Sequence, residues 1–341
     1  MDVGRGEAVV RDAIKAWPST LEDALLGSSD PAVIVGLIDA FCGRALGQEL
    51  RRVTFYRRGV GAVFGLLVGN EQHIVLKVHR RDLVGDGLDG IRVVQQRLSD
   101  LGLPAPEPIG PLQALGNGVG AAETMLSAGD VVDVHDGSVR RVLADGLSRF
   151  VDAATPMLSD VRLPVARPFD LRDEHLWPTP HDLRFDFSLP GAEWIDALAR
   201  DARAILRGAR GGRVVVGHAD WRIENLRLRR SAVVAIFDWD SVCIGPEAAL
   251  IGANSTAFTS DWSDPSIDPF PSVAEMSAFV DDYEAARGRS FTSREREILE
   301  AARVYRLAYG ARCEHSDAQL DVFPGEDTDS QGWTALLRSI T

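Results

Sequence analysis

The sequence predicts an α+β chain in which a small β-rich lobe with one main helix precedes a larger, mostly helical lobe. Three observations predict it. Strand-like runs crowd into residues 49–79, helical periodicity dominates after residue 125, and a single strand–loop–hairpin over 213–240 interrupts the helical half. A chain of 341 residues, 45% hydrophobic and 26% charged, is long enough to bury a core in each lobe. The lobes divide at 1–125, which includes a helical N-terminal extension over 1–48, and 126–341.

The first lobe reads in order as follows. "RRVTFYRR", "AVFGLLV" and "HIVLKVHR" are three β segments, separated by a glycine-containing turn and by "GNEQ", and they predict an antiparallel meander. A helix follows over 88–101, because Ile91, Val94, Leu98 and Leu101 recur at spacings of three and four, and "GLPAPEP" stops it. Strands at 109–114 and 120–126 complete the lobe. In the second lobe the periodicity predicts helices at 139–155, 191–207, 271–287 and 292–315. Residues 158–190 and 261–272, rich in Pro and Asp, read as loops or lid segments.

Composition removes several function classes. A formal charge of −13 disfavours nucleic acid, whose phosphates need basic surface, and would instead attract a cationic small molecule or simply maintain solubility. The apolar runs "AVIVGLI" and "AVFGLLV" are shorter than a bilayer span, and the N-terminus has no apolar signal core, so a cytoplasmic protein with no membrane partner is expected. Cys42, Cys243 and Cys313 lie far apart without metal or disulfide spacing.

The chemistry concentrates in "VVVGHADWRIENLRL", residues 214–228, where an apolar strand delivers the chain to His218, Asp220, Arg222, Glu224 and Asn225. Two β segments across "RRS" then return the chain to "IFDWD", bringing Asp238 back beside the loop. Carboxylates and an amide carbonyl are hard oxygen donors, which suit Mg²⁺ rather than a soft metal. Lys77, on the third strand, adds a cation for nucleotide phosphates.

This ordered set resembles the protein-kinase-like superfamily, and most closely its aminoglycoside phosphotransferase and choline kinase branch. The branch carries H-[GA]-D-x-x-x-x-N followed by a hairpin and I-D-W-D; here the chain reads "HADWRIENL" and "IFDWD", with a thirteen-residue step from Asn225 to Asp238. The resemblance covers about residues 49–315. It implies a bilobal kinase-like fold with ATP and Mg²⁺ as cofactors, and a first lobe that binds the nucleotide. It further implies that Asp220 accepts or orients the proton of a substrate hydroxyl, that Asn225 and Asp238 hold Mg²⁺, and that Lys77 contacts the α- and β-phosphates. Gly59 and Gly61 fall in the turn that would cover the nucleotide.

Other positions carry two readings each. His218 braces the loop rather than moving protons. Arg222 either reaches the transferring phosphoryl or pairs with Glu224. Trp221 and Trp239 read as packing residues. Asp261 and Glu314 are the candidates for binding an ammonium group of the substrate, within an acidic set that includes Asp264, Asp268, Asp281, Asp282, Glu284 and Asp317.

The chain also departs from the branch. Relatives pair the strand lysine with a helix glutamate, but "LDGIRVVQQRLSDLG" has none, leaving Asp86, Asp89, Gln95 or Gln96 as substitutes. "CIGPEAALIGA" carries Glu247 where many relatives have aspartates. The expected activity is ATP- and Mg²⁺-dependent phosphorylation of a small hydroxylated molecule, an aminoglycoside or amino sugar being one class of acceptor. The alternatives are a kinase for choline-like amines or sugars and a non-catalytic nucleotide-binding protein of the same fold.

Overall fold

Three successive strands, each with buried positions, build the first sheet. In the computed structural model β1 (Leu50–Arg58), β2 (Ala62–Val68) and β3 (Gln72–His79) form the expected meander, and β4 (Pro108–Leu115) and β5 (Gly118–Thr124) extend it in the antiparallel order β1-β2-β3-β5-β4. The structure describes residues 3–15, 20–69, 71–81, 87–165, 174–208, 212–262, 267–320 and 332–341. They fall into two compact units, Met1–Ser99 with Pro106–Ser127 and His181–Leu183, and Asp100–Ala105 with Ala128–Pro180 and Arg184–Thr341.

In the first unit, helices α1 (Val3–Lys15), α2 (Thr20–Leu26) and α3 (Pro31–Phe41) make up the N-terminal extension. The stretch Leu21–Leu46 is long and apolar enough by composition to cross a membrane, a feature the run lengths above do not reveal. Here it is broken. Gly27 takes φ 77°, and Asp30 caps α3 by accepting from the Ala32 N–H at 2.8 Å. Leu25, Ile34, Ile38 and Phe41 then share one core with Val53, Phe64, Leu66 and Leu76 of the sheet. Buried Glu22 ties the extension down by accepting from the Tyr56 hydroxyl and from Arg58 Nε at 2.6 Å.

Helix α4 (Leu88–Asp100) ends one residue earlier than its periodicity predicts. Leu101 lies past the helix, 65% exposed, and the chain turns at Gly102 with φ 82°. Arg92 fixes α4 to the sheet by donating to the carbonyls of Ala122 at 3.2 Å and Gly110 at 2.6 Å.

The second unit contains α5 (Gly137–Ala154), α6 (Glu193–Arg207), α7 (Glu247–Ser255), α8 (Val273–Arg287), α9 (Ser293–Gln319) and α10 (Trp333–Ile340). Strand β6 (Val214–His218) pairs antiparallel with β9 (Val242–Pro246), and β7 (Leu226–Arg229) forms a hairpin with β8 (Ala232–Ile236). Capping boxes, Ser272 with Glu275 and Thr292 with Glu295, set the starts of α8 and α9. Three elements lie beyond the sequence reading: β9, α7 and α10. Helix α7 is buried on every side, so it has no amphipathic stripe to read. Gly252 is required within it, since a Cβ there would sit 2.3 Å from the Leu299 carbonyl oxygen of α9.

Glu247, at the start of α7, collects a buried charge network. It accepts from the Tyr283 hydroxyl at 2.9 Å and pairs with Arg287 at 2.8 Å, Arg213 at 3.5 Å and Arg289 at 3.6 Å. The residue that departs from the family pattern therefore holds β6, α7 and α8 together.

Candidate catalytic site

The site starts from the apolar strand β6, whose burial places His218 at the end of a rigid element. His218 is 1% exposed and uses both ring nitrogens: Nε2 donates to the Phe237 carbonyl at 3.0 Å, and Nδ1 accepts from the Asp220 N–H at 3.2 Å. It thus links the loop after β6 to the end of β8. Trp221 and Trp239 are packing residues, 1% and 2% exposed, with indole N–H groups donating to the carbonyls of Leu143 and Ile236.

Asn225, buried, donates from Nδ2 to the Asp220 carbonyl at 3.0 Å and to Asp220 Oδ2 at 2.8 Å. Its side-chain oxygen remains for another donor or a cation. The Phe237 N–H donates to the Asn225 carbonyl at 2.8 Å, continuing the Leu226–Ile236 register, so Asp238 comes one residue after the position opposite Asn225. Asp238 itself adopts a left-handed conformation, φ 58° and ψ 48°. For a non-glycine residue that is a strained choice of the kind found where a side chain must be aimed. Ser241 Oγ donates to Asp238 Oδ2 at 3.1 Å.

Arg222 lies between two carboxylates, Nε 3.2 Å from Asp220 Oδ2 and a terminal nitrogen 3.1 Å from Glu224 Oε2. Arg222 therefore pairs with Glu224, one of its two sequence readings, and also with Asp220. Burial pushes the Asp220 carboxyl upward, but the guanidinium groups of Arg222 and Arg306 outweigh it and hold the group below its usual range. Asp220 is ionised at neutral pH as a result. Arg306, on α9, is a site residue the sequence reading missed; it lies 86 positions from Asp220 and belongs to an ordinary-looking helical run.

In the first unit, Lys77 is buried on β3, opposite Ala121 of β5. Its Nζ lies 3.7 Å from Glu123 Oε1, two residues along β5 on the same face. Gln95 of α4 donates from Nε2 to Glu123 Oε2 at 2.8 Å and to the Pro106 carbonyl at 2.9 Å. Of the four expected substitutes for the helix glutamate, Gln95 takes part, but as an amide that holds a strand glutamate. Asp89 is exposed, and Asp86 lies outside the described residues. In the turn, the Gly59 N–H donates to the Gly61 carbonyl at 3.0 Å. A Cβ on Gly61 would lie 2.5 Å from the Val78 carbonyl oxygen, so β3 requires that glycine, whereas a Cβ on Gly59 would meet open space.

The acidic set is where the structure corrects the sequence reading. Glu314 points its carboxylate into the first turn of α10, accepting from the N–H groups of Trp333 at 2.6 Å and Thr334 at 2.8 Å. That makes it a helix cap rather than a ligand for a substrate ammonium. Asp317 pairs with Arg184 at 3.0 Å, Asp282 with Arg140 at 2.8 Å and Glu284 with Arg296 at 2.6 Å, while Asp268 accepts from the Phe270 N–H. Asp264 lies outside the described residues. Asp261 differs from these: it is 3% exposed and close enough to Arg222 to favour its charged form. It stands beside the catalytic loop. Among the described residues no group of three His, Cys, Asp or Glu side chains could hold a metal.

The sequence model of the phosphotransferase enzyme family matches residues 53–288. No curated protein sequence matches the chain closely enough to count as a relative. Among solved structures, the chain is similar to an amicoumacin kinase in complex with AMP-PNP, Ca²⁺ and Ami, at 14% identity and TM-score 0.56 over 85% of this chain and 92% of that one. It is also similar to an aminoglycoside-3'-phosphotransferase of type VIII, at 18% identity and TM-score 0.52 over 81% and 98%. A Plasmodium vivax ethanolamine kinase gives 11% identity and TM-score 0.53 over 98% and 94%. At these identities the likeness is one of fold.

Proposed function

Because this chain belongs to the phosphotransferase enzyme family, we propose that it transfers the γ-phosphoryl group of ATP, with Mg²⁺, to a hydroxyl of a small molecule. The observation that carries the reading is the Asn225 amide clasping Asp220 Oδ2 at 2.8 Å while the hairpin returns Phe237, the residue before Asp238, to the Asn225 carbonyl. Phosphoryl transfer asks a protein for positioning and charge neutralisation more than for covalent chemistry, and this arrangement supplies both.

Asp220, kept ionised by Arg222 and Arg306, is a weak base in the ground state. Its role is to accept a hydrogen bond from the acceptor hydroxyl, aim the oxygen along the line of attack, and take the proton as the new P–O bond forms. The side-chain oxygens of Asn225 and Asp238 are the groups that would hold Mg²⁺, an all-oxygen set of the kind that ion prefers. When bound, the ion neutralises phosphate charge that builds up on the leaving group. Lys77, positioned by Glu123, contacts the α- and β-phosphates. Arg222 pairs with both Asp220 and Glu224.

The presence of Glu123 beside Lys77 removes the motive for a non-catalytic reading, which rested on the missing helix glutamate. The test is acceptor-stimulated, Mg²⁺-dependent ADP release across aminoglycosides, amino sugars, choline, simple sugars and hydroxy acids. One acceptor that stimulates release and is recovered as its phosphate ester establishes the activity. Nucleotide binding with no acceptor-stimulated release across the panel would return the chain to the non-catalytic class.

A further inference from the structure

Helix α9 carries three arginines at neighbouring turns, and two are committed. Arg303 donates to Ser255 Oγ at 2.9 Å and to the Met276 carbonyl at 2.7 Å. Arg312 donates to the Leu189 carbonyl at 2.8 Å and pairs with Asp196 at 3.4 Å. Arg306, between them, makes no hydrogen bond or ion pair among the described residues; its contact is with the Trp333 ring, 4.7 Å from guanidinium carbon to centroid.

The indole beneath it is built into place. Gly310, one turn along α9, leaves the room Trp333 occupies, since a Cβ there would lie 2.4 Å from the ring. Glu314, a further turn along, caps α10 through the Trp333 and Thr334 N–H groups. Phe270 meets Trp333 edge-on at 5.1 Å, and Trp262 meets Phe270 at 5.6 Å and Trp333 at 6.5 Å. Trp262 still leaves 51% of its surface in solvent, a large aromatic face with room for a ligand.

Charge decides what this wall selects. Arg222 is already countered by Asp220 and Glu224. Of the acidic set, Asp282, Glu284, Glu314 and Asp317 are spent on ion pairs or a helix cap, and Asp261 faces Arg222. Arg306 retains its hydrogen-bonding edge, and a guanidinium stacked on an indole presents a planar fork matched to a carboxylate. We infer that Arg306, Trp333 and Trp262 form an acceptor subsite that takes a planar apolar group bearing a carboxylate. The inference rests on the phosphotransferase reading only for the placement of the acceptor hydroxyl at Asp220.

Three probes of the same scaffold test it: 4-(hydroxymethyl)benzoate, its planar neutral counterpart 4-(hydroxymethyl)benzamide and the cationic 4-(hydroxymethyl)benzylamine, each titrated into the full chain by calorimetry. The benzoate should bind about tenfold more tightly than the amide, the scale of one charge-assisted hydrogen bond, and the amine should bind least. Arg306→Met should abolish the benzoate's advantage and leave the amide unchanged, Arg306→Lys should restore part of it, and Trp262→Ala should weaken all three. No binding, amine-first binding, or an equal loss for all three probes in Arg306→Met would overturn the subsite. Phosphate transfer to the probe's hydroxyl is measured separately. The expected binding order without transfer would leave the subsite standing and count against the placement of its hydroxyl at Asp220.

Discussion

Lys77 on β3 and Glu123 on β5 are paired across adjacent strands at 3.7 Å, and Gln95 of α4 holds the glutamate's other oxygen at 2.8 Å. The carboxylate that relatives supply from the helix is here supplied by the sheet, and the helix contributes an amide. Glu123→Gln keeps the shape and removes the charge that orients Lys77. The KM for ATP should rise while the KM for the acceptor stays put, and Glu123→Asp should recover part of the loss. An unchanged KM for ATP would make the pair a packing feature alone.

Asp220→Asn should reduce turnover by roughly a hundredfold or more, the scale of a positioned base, while ATP affinity measured by calorimetry stays close to the parent's. The Asn225 contact to position 220 can survive the change, because an amide oxygen still accepts from Nδ2. Near-normal turnover would take Asp220 out of the reaction.

Asp238 should be tested as asparagine rather than alanine. The residue sits at φ 58°, a region asparagine tolerates and alanine resists, so the alanine variant would mix backbone strain with loss of a ligand. Asp238→Asn should move ATP binding to higher Mg²⁺ concentrations in a titration at fixed nucleotide. A superimposable titration would mean the hairpin carboxylate is no ligand.

Removing Glu247 should cost about 3–5 kcal/mol, because Arg287 would be left buried without its anionic partner. Urea unfolding of Glu247→Ala, read as a lower midpoint at constant slope, checks the figure. A loss below about 1 kcal/mol would place the network among ion pairs that contribute little.

The parts of this molecule legible in the sequence are those whose determinants are local. The loop from His218 to Asn225 and the hairpin to Asp238 are one continuous stretch, and an apolar run marks the strand that leads into it. Glu123 was illegible as the partner of Lys77 because their meeting depends on β3–β5 register, which a meander pattern does not specify. Arg306 was hidden in the same way, being one of several arginines on a long helix. Acidic residues look alike in sequence whether solvated, paired or capping, so the engagement of Glu314 with α10 and of Asp317 with Arg184 had no signal to read. Helix α7 escaped because a helix buried all round loses its stripe.

A pH-sensitive contact lies next to the aromatic wall. His135 Nδ1 is 2.7 Å from Glu275 Oε1, and Nε2 is 2.9 Å from the Asp268 carbonyl oxygen, so the ring satisfies both neighbours only as the doubly protonated cation. Burial draws the His135 pKa down, but the Asp268 carbonyl and Glu275 outweigh it, and the folded value lies above the ordinary 6.5. Burial pushes Glu275 up, but the Ser272 donors and His135 outweigh that, holding it below its ordinary 4.5. For the raised histidine, stability is present in full below the unfolded pKa and is lost as pH rises through the folded one. For the depressed glutamate, stability is present above the unfolded pKa and is lost as pH falls through the folded one. The pair therefore contributes most between about pH 4.5 and 6.5. His135→Gln keeps a hydrogen-bonding side chain and removes the titration. The stability difference between parent and variant, measured by urea unfolding at half-unit steps from pH 5 to 8.5, should be largest at the acid end and shrink toward pH 8. A difference that stays constant across that range would show that the imidazole remains neutral and that the contact with Glu275 is an ordinary hydrogen bond.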